Sequence, residues 1–264
     1  MIKADERREE IANYVIKLGQ VRIDELVEHF GVSRMTIHRH IDRLAHQGVL
    51  RKLHGAVTVQ PSGIYESTFR YRMTVGRAEK DALARAAMDY VETGRAVMLD
   101  DSTTANAVAP LLLEVKPLTV ITNSVSTAAL LANVDEVDLI CLGGQYHRTY
   151  DAYIGILCEN AISRLRANVL ICSASAITDT TAFIQDQQVV RVKQAMMAAS
   201  TKRILLVDHL KFDRVALHVL DDLTCFDAVL ATDGLSDAHA RKLEQAGVRL
   251  RIVKTTPEIG RAHV

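Results

Sequence analysis

Between positions 20 and 57 the apolar residues fall into two short helical stripes and then an alternating stretch. Ile23, Leu26, Val27 and Phe30 recur at steps of three and four, which predicts an amphipathic helix. Gly31 is placed to end it, since glycine tolerates positive φ. Ser33 is a natural N-cap for a second helix whose buried stripe is Ile37, Ile41 and Leu44. Gly48 breaks that helix, and 49–52 and 56–59 read as two strands around His54-Gly55, a small β-wing. Upstream, Ile11, Tyr14, Val15 and Leu18 predict a supporting helix over 5–18. Gln-Pro-Ser-Gly at 60–63 punctuates the end of this module, and 64–79 reads as a connector carrying Arg70, Arg72 and Arg77.

From Lys80 onward the period changes. Short β-branched runs at 96–99, 118–121, 137–142, 169–172, 204–207, 229–231 and 250–253 alternate with helical stretches at 80–91, 105–113, 125–131, 155–165, 189–200 and 237–246. Such alternation predicts a mainly parallel sheet covered on both faces. The fold class expected is therefore α/β, with a small N-terminal helical module.

Charge sharpens the reading of that module. On the second helix Met35, Arg39, Asp42 and His46 lie opposite the buried stripe, flanked by Thr36, His38 and Arg43. Between Ser33 and His54, Arg34, Arg39, Arg43, Arg51 and Lys52 face one acid, Asp42, a local surplus of four positive charges in a chain whose net charge is zero. A short basic helix after a tight turn suits the DNA major groove, with double-stranded DNA as partner and phosphate attraction assisting. Arg39 is the expected base reader, with Met35, Thr36 and His38 beside it. Ser33, Arg34, Arg43, Arg51, Lys52 and His54 complete the candidate set. Four of the ten histidines (His38, His40, His46, His54) lie in this window, so DNA affinity is expected to rise as pH falls through about 6.5.

In the second part, polar residues gather after the first three strands: Asp100-Asp101-Ser102-Thr103-Thr104, Thr122-Asn123-Ser124 and Gly143-Gly144. Open α/β sheets bind ligands outside the carboxyl ends of their strands, and hydroxyls with free N–H groups at helix starts suit phosphate. Lys193, Asp208 and Lys211 are placed to add charge. Each loop taken singly is explained by ordinary helix capping; their coincidence is the signal.

At 48% hydrophobic and 24% charged, the chain has the composition of a globular protein, and no apolar run reaches the roughly 18 residues of a membrane span. The charged start is unlike a signal peptide, and a cytoplasmic protein is expected. Cys141, Cys158, Cys172 and Cys225 show no close pairing and are expected as buried thiols; no metal or other cofactor is expected. Ile259 to Val264 reads as the in-frame translation of a common sequencing-adapter string, so 258–264 is expected to be a non-native tail replacing the true C-terminus.

The motifs together resemble the DeoR family of bacterial transcriptional regulators. Its helix-turn-helix and wing pattern is matched by Val32, Ser33, Thr36, Ile37, Arg39, Leu44, Gly48, Leu50, His54, Gly55 and Ala56. His38 replaces an arginine, His40 replaces an acid, and Lys52 is shifted. D-D-S-T-T, T-N-S, L-G-G, V-x-K-x-x-M and V-D-H-x-K-F resemble the family's sensor motifs, with Ser102 for a glycine and no glycine near Thr180-Thr181. The resemblance implies a winged helix-turn-helix domain (1–60), a linker (61–79) and a sensor (80–257) of the ribose-5-phosphate isomerase or CoA-transferase-like type. It implies a homo-oligomer that binds operator DNA, as a repressor of a carbohydrate operon or, in the alternative the sequence leaves open, as an activator, and that answers to a phosphorylated sugar or polyol. Asp100, Thr103, Thr104, Asn123, Ser124, Gly143, Gly144, Lys193, Asp208 and Lys211 become the implied effector contacts, and loss of Lys193 or Lys211 is expected to spare DNA binding. Isomerases of that fold carry a glycine-rich loop before a catalytic glutamate. Here Ser173 to Ala176 and then Thr180 to Gln188 hold neither, and Asp179 and Asp186 are the nearest carboxylates, so no catalytic residue is expected.

Overall fold

In a computed structural model the described residues are 4–46, 50–58, 69–212 and 214–255. The chain divides into two compact units, Met1–Tyr71 and Arg72–Val264. The 60–63 punctuation, Gly48 and the suspected tail at 258–264 lie outside the described residues.

The first unit runs α1 (Ala4–Leu18), β1 (Gln20–Arg22), α2 (Ile23–Phe30), α3 (Arg34–His46), β2 (Arg51–Leu53) and β3 (Ala56–Thr58). Gly31 ends α2 in the left-handed conformation (φ 59°), its N–H reaching the Val27 carbonyl at 3.0 Å. Ser33 caps α3, its Oγ accepting the Thr36 N–H at 3.2 Å. β3 is central, between β1 and β2, and is buried along its length. The strand β1 is absent from the sequence reading, because three residues between two helices are too few to show a period. Ile11, Val15, Leu26, Ile37, Ile41 and Leu44 close one core over this small sheet.

α4 (Phe69–Thr74) contains the boundary between the units, and α5 (Arg77–Ala87) is the first helix wholly within the second. There follow β4 (Ala96–Leu99), α6 (Thr103–Asn106), β5 (Leu118–Thr122), α7 (Val125–Leu131), β6 (Val137–Cys141), β7 (Gln145–His147), β8 (Ala152–Ile154), α8 (Ile156–Ile162) and β9 (Ala167–Ser173). The chain continues through β10 (Ala176–Thr178), β11 (Thr181–Ile184), α9 (Gln187–Ala198), β12 (Ser200–Val207), β13 (His218–Asp222), β14 (Ala228–Thr232), α10 (Asp237–Gln245) and β15 (Leu250–Val253).

All seven strands expected from the sequence join one parallel sheet, in the order β15-β14-β12-β9-β4-β5-β6. Successive residues of the central strands enter different cores. Met98, Leu170, Cys172 and Leu205 pack on one face; Val97, Leu99, Val169, Ile171 and Ile204 pack on the other. A sheet buried on both faces produces the near-continuous apolar runs seen in the sequence.

Two antiparallel additions escape the sequence reading: the β7–β8 hairpin and the three-stranded sheet β10-β11-β13. Their strands are three to five residues long, and β13 comes from far along the chain. The cysteine expectation needs correction. Cys158 and Cys172 are buried, and burial pushes the Cys158 thiol up to about 12. Cys141, however, is exposed because β6 is an edge strand, and Cys225 is half-buried. Among the described residues no helix is long and apolar enough to cross a membrane.

Candidate functional site

On α3 the buried stripe is Ile37, His40, Ile41 and Leu44. The opposite face presents Met35, 82% exposed, with Arg39, Asp42, Arg43 and His46 also exposed. Thr36 and His38 are half-buried beside them, and Thr36 is held to the exposed Ser33 by a hydroxyl contact of 3.0 Å. Two of the expected phosphate ligands are already paired. Arg34 meets Asp24 of α2 at 3.2 Å, and Lys52 on the wing meets Asp42 of α3. Exposed pairs of this kind are worth little energy. Arg51 and His54 are exposed at the wing.

His40 departs from expectation. It is 2% exposed, and neither ring nitrogen has a hydrogen-bond partner among the described residues. Burial lowers its pKa from the usual histidine value, and Arg8, Arg39, Arg7 and Arg43 push the same way. His40 is therefore no part of a groove-facing cationic cluster. A base whose folded pKa lies below its unfolded one favours folding above the unfolded value, about 6.5, and loses that contribution as pH falls below it. The first unit should accordingly weaken between pH 7.5 and 5.5. In His40→Asp, which puts an acid among those arginines, the fall should be clearly shallower. Pulse proteolysis of the full chain in urea, with cleavage mapped to 23–46, measures this; equal slopes would remove His40 as the cause.

In the second unit the sheet order reverses between β4 and β9: β5 and β6 lie on one side, β12, β14 and β15 on the other. Such a switch point opens a crevice at the carboxyl ends of the two strands. Asp100 leaves β4 there, and its Oδ2 accepts the Ser173 N–H at the end of β9 at 3.0 Å. The same oxygen takes the Lys193 ammonium, which also lies 3.3 Å from Asp101. Asp100 Oδ1 accepts the Ser102 N–H at 2.9 Å and its hydroxyl at 2.5 Å. Lys211 Nζ donates to Ser173 Oγ at 2.7 Å and stands 3.7 Å from Asp208. Asp100, Asp101, Ser173, Lys193, Lys211 and Asp208 thus form one connected group.

Lys193 is 3% exposed. Burial opposes its charge, but Asp100 and Asp101 outweigh that and hold the ammonium above the ordinary lysine range. Burial pushes the Asp101 carboxyl upward. Lys193 is therefore an internal counter-ion to the two aspartates.

The neighbouring strand-end loop is tied to the β7–β8 hairpin. Asn123 Nδ2 donates to the Tyr153 carbonyl at 3.0 Å, and Tyr153 N–H returns to the Asn123 carbonyl at 2.9 Å. Ser102 and Ser124 are N-caps, accepting Ala105 N–H at 3.1 Å and Thr127 N–H at 3.2 Å. The helices they cap, four and seven residues long, leave little dipole for an anion, so the lysines matter more than the helix starts. Thr103 and Thr104 are buried in the first turn of α6. Thr104 Oγ1 and Asn123 Oδ1 are buried without hydrogen-bond partners among the described residues. A Cβ on Gly144 would stand 2.6 Å from the Ile154 carbonyl, so that glycine is demanded by the hairpin, while one on Gly143 would meet nothing. The carboxylates weighed for catalysis are engaged elsewhere: Asp179 is exposed and pairs with Lys242, and Asp186 caps α9 through the Gln188 N–H at 2.8 Å.

Sequence reasoning misses Ser173, which joins Asp100 to Lys211, and the buried Lys80. For Lys80 a signal exists: it shares a helical face with Leu83, Ala84 and Ala87, and a lysine inside an apolar stripe needs a partner.

Known proteins resemble both units. Residues 7–62 match the model of a DeoR-like helix-turn-helix domain, and residues 76–233 that of a DeoR C-terminal sensor domain. The L-fucose operon activator of Haemophilus influenzae is 30% identical over 240 residues, covering 90% of this chain and 96% of that protein. The glycerol-3-phosphate regulon repressor of Escherichia coli K12 is 31% identical over 229 residues, covering 86% and 90%. Among solved structures, ribose 5-phosphate isomerase A from Methanocaldococcus jannaschii aligns with a TM-score of 0.38 at 16% identity, over 52% of this chain and 54% of that one. The chain thus spans about half the length of that isomerase.

Proposed function

This chain belongs to the DeoR family of transcriptional regulators, a family of DNA-binding and non-enzymatic proteins, and from that premise we propose that it represses a carbohydrate operon and leaves its operator when a phosphorylated sugar or polyol binds the β4–β9 crevice. In this reading 1–60 is the DNA-reading domain, 61–79 the connector and 80–257 the sensor. Arg39 reads a base edge, with Met35, Thr36 and His38 beside it. Ser33, Arg34, Arg43, Arg51, Lys52 and His54 serve the backbone. The protein acts as a homo-oligomer placing two α3 helices in successive major grooves. Effector binding shifts the equilibrium toward an arrangement that no longer matches the half-sites, a coupling of about 1–3 kcal/mol.

The observation that carries the effector reading is the charged group at the switch point, where Lys211 meets Ser173 at the carboxyl end of β9. Asp100, Thr103, Thr104, Asn123, Ser124, Gly143, Gly144, Lys193 and Asp208 complete the proposed contact set, some of them through the loops they hold. The unpartnered Thr104 and Asn123 oxygens support it, since buried polar atoms are rarely left unsatisfied. The test is an anisotropy titration of the intergenic DNA beside the gene, with and without glycerol 3-phosphate, ribose 5-phosphate, fructose 6-phosphate and inorganic phosphate. Release by one of the organic phosphates supports the reading; tight binding that none of them alters sinks it.

Lys211→Met separates sensing from folding. Its side chain is 15% exposed and less confined than that of Lys193, so DNA affinity should stay within about twofold, while the releasing concentration rises tenfold or more, about 1.4 kcal/mol. An unchanged releasing concentration would remove Lys211 from the site. A second reading, activation, is favoured by one relative being the L-fucose operon activator of Haemophilus influenzae. A reporter fusion in a strain lacking the gene decides between them: expression rises if the protein represses and falls if it activates.

A further inference from the structure

We infer that His209 is a positioning residue of the effector site: its ring, held between Thr232 and Gly234 at the end of β14, pins the turn that follows β12 and so sets Lys211 against Ser173. The inference rests on the effector reading above for what Lys211 does, and on contacts of its own for how Lys211 is placed.

The turn is short and closes on itself. Asp208 follows β12, and its Oδ1 accepts the Leu210 N–H at 3.1 Å. Its carbonyl accepts the Lys211 N–H at 3.1 Å, and the His209 carbonyl accepts the Phe212 N–H at 3.3 Å. Phe212 is buried and bridges to Ile177 of β10. From this turn the Lys211 ammonium reaches Ser173 Oγ on β9 at 2.7 Å, with Asp208 3.7 Å away. A lysine places its charge at the end of a flexible four-carbon stem, so the ammonium is fixed only as well as the backbone it springs from.

His209 fixes that backbone to a third strand. The hydroxyl of Thr232, the wholly buried last residue of β14, accepts the His209 N–H at 2.8 Å and meets the ring Nδ1 at 3.0 Å. One oxygen thus holds both the main chain and the ring of His209. The ring also lies against Gly234: a Cβ there would stand 2.5 Å from its Cγ and 2.6 Å from its Nδ1 and Cδ2, so position 234 leaves no room for a side chain while the ring is in place. In the sheet β12 lies between β14 and β9. The turn is therefore anchored on one neighbour of β12 and delivers its charge to the other.

The test reads Lys211 itself. In the full chain without ligand, a pulse of acetic anhydride followed by peptide mass spectrometry gives the acetylation rate of Lys211 relative to the exposed Lys202. That ratio should rise about threefold or more in His209→Leu and in Thr232→Val, while the buried Lys193 reacts as in wild type. His209→Asn puts an amide where Nδ1 stands, able to donate to the hydroxyl or accept from it, and should stay within about twofold of wild type. An unchanged ratio in both loss variants, or an equal rise at Lys193, which marks general loosening, overturns the inference. The second measurement uses the organic phosphate that releases the wild-type chain from operator DNA. His209→Leu should raise the releasing concentration about fivefold or more, and add nothing further in a Lys211→Met background, because a residue acting through another loses its effect with it. Equal rises in both backgrounds overturn it. If no organic phosphate releases the wild-type chain, the effector reading falls, and the acetylation ratio alone decides whether His209 holds Lys211. Should His209→Leu prove unfolded, with Cys158 and Cys172 alkylated in the absence of urea, Thr232→Val takes its place in both measurements.

Discussion

Lys193→Met is expected to destabilise the second unit by about 3–5 kcal/mol, the usual consequence of leaving a buried charge without its partner. Methionine nearly fills the volume of the lysine stem, so the loss is electrostatic and not a cavity. What remains is Asp100, still bonded to Ser173 and Ser102, and Asp101, both buried and without their cation. The readout is built into the same unit. Cys158 and Cys172 are fully buried, so their alkylation during a urea titration reports its unfolding. With a slope of about 2–3 kcal/mol per molar, the midpoint should drop by about 1–2 M. Adding Asp101→Asn should recover part of the loss, because the amide needs no counter-ion. A midpoint within about 0.3 M of wild type would show that Lys193 does not neutralise this pair. The result bears on function too: a Lys193 variant that no longer responds to effector is a folding variant first, and the sensing question belongs to Lys211.

Arg39→Ala is expected to weaken specific operator binding by about 1–3 kcal/mol, roughly 5- to 150-fold in Kd. The side chain is exposed on the outer face of α3, so stability should stay within about 0.5 kcal/mol. Two further measurements separate base reading from phosphate binding. Affinity for unrelated duplex should change far less than affinity for the operator. The slope of log K against log salt should hold for Arg39→Ala, whereas Arg51→Ala should flatten it by about one for each phosphate that the arginine neutralises. Equal loss on both DNAs would make Arg39 a backbone ligand and pass base reading to Met35, Thr36 and His38.

Elements with a sustained period are legible in the sequence. All seven parallel strands, the αα turn at Gly31 and the Ser33 cap follow from apolar spacing and cap chemistry within a few residues. The wing is legible from alternation around His54-Gly55, and DSTT and TNS from their place after strands. The sheets built from three- to five-residue strands are not, because β11 pairs with β13 across some 35 intervening residues and no local signal encodes that partner. His40 shows a different limit. Its place in the series 37, 40, 41, 44 marks it as buried, yet histidine on a basic helix invites a surface reading.

Residues close together in the chain suffice for the two-part organisation, the basic reading helix, the parallel sheet and the family. Which charges serve ligand and which serve the fold emerges only when distant segments pack. Lys193, Lys211 and Lys80 are alike as letters. The sheet order brings Asp100 of β4 beside β9, buries Lys193 against it and sets Lys211 at Ser173, whereas the local turn at Gly76 brings Lys80 to the carbonyls of Arg72 and Val75. A lysine's role follows from its solvation and its nearest opposite charge, and for Lys193 that charge is Asp100, nearly a hundred residues away in the chain.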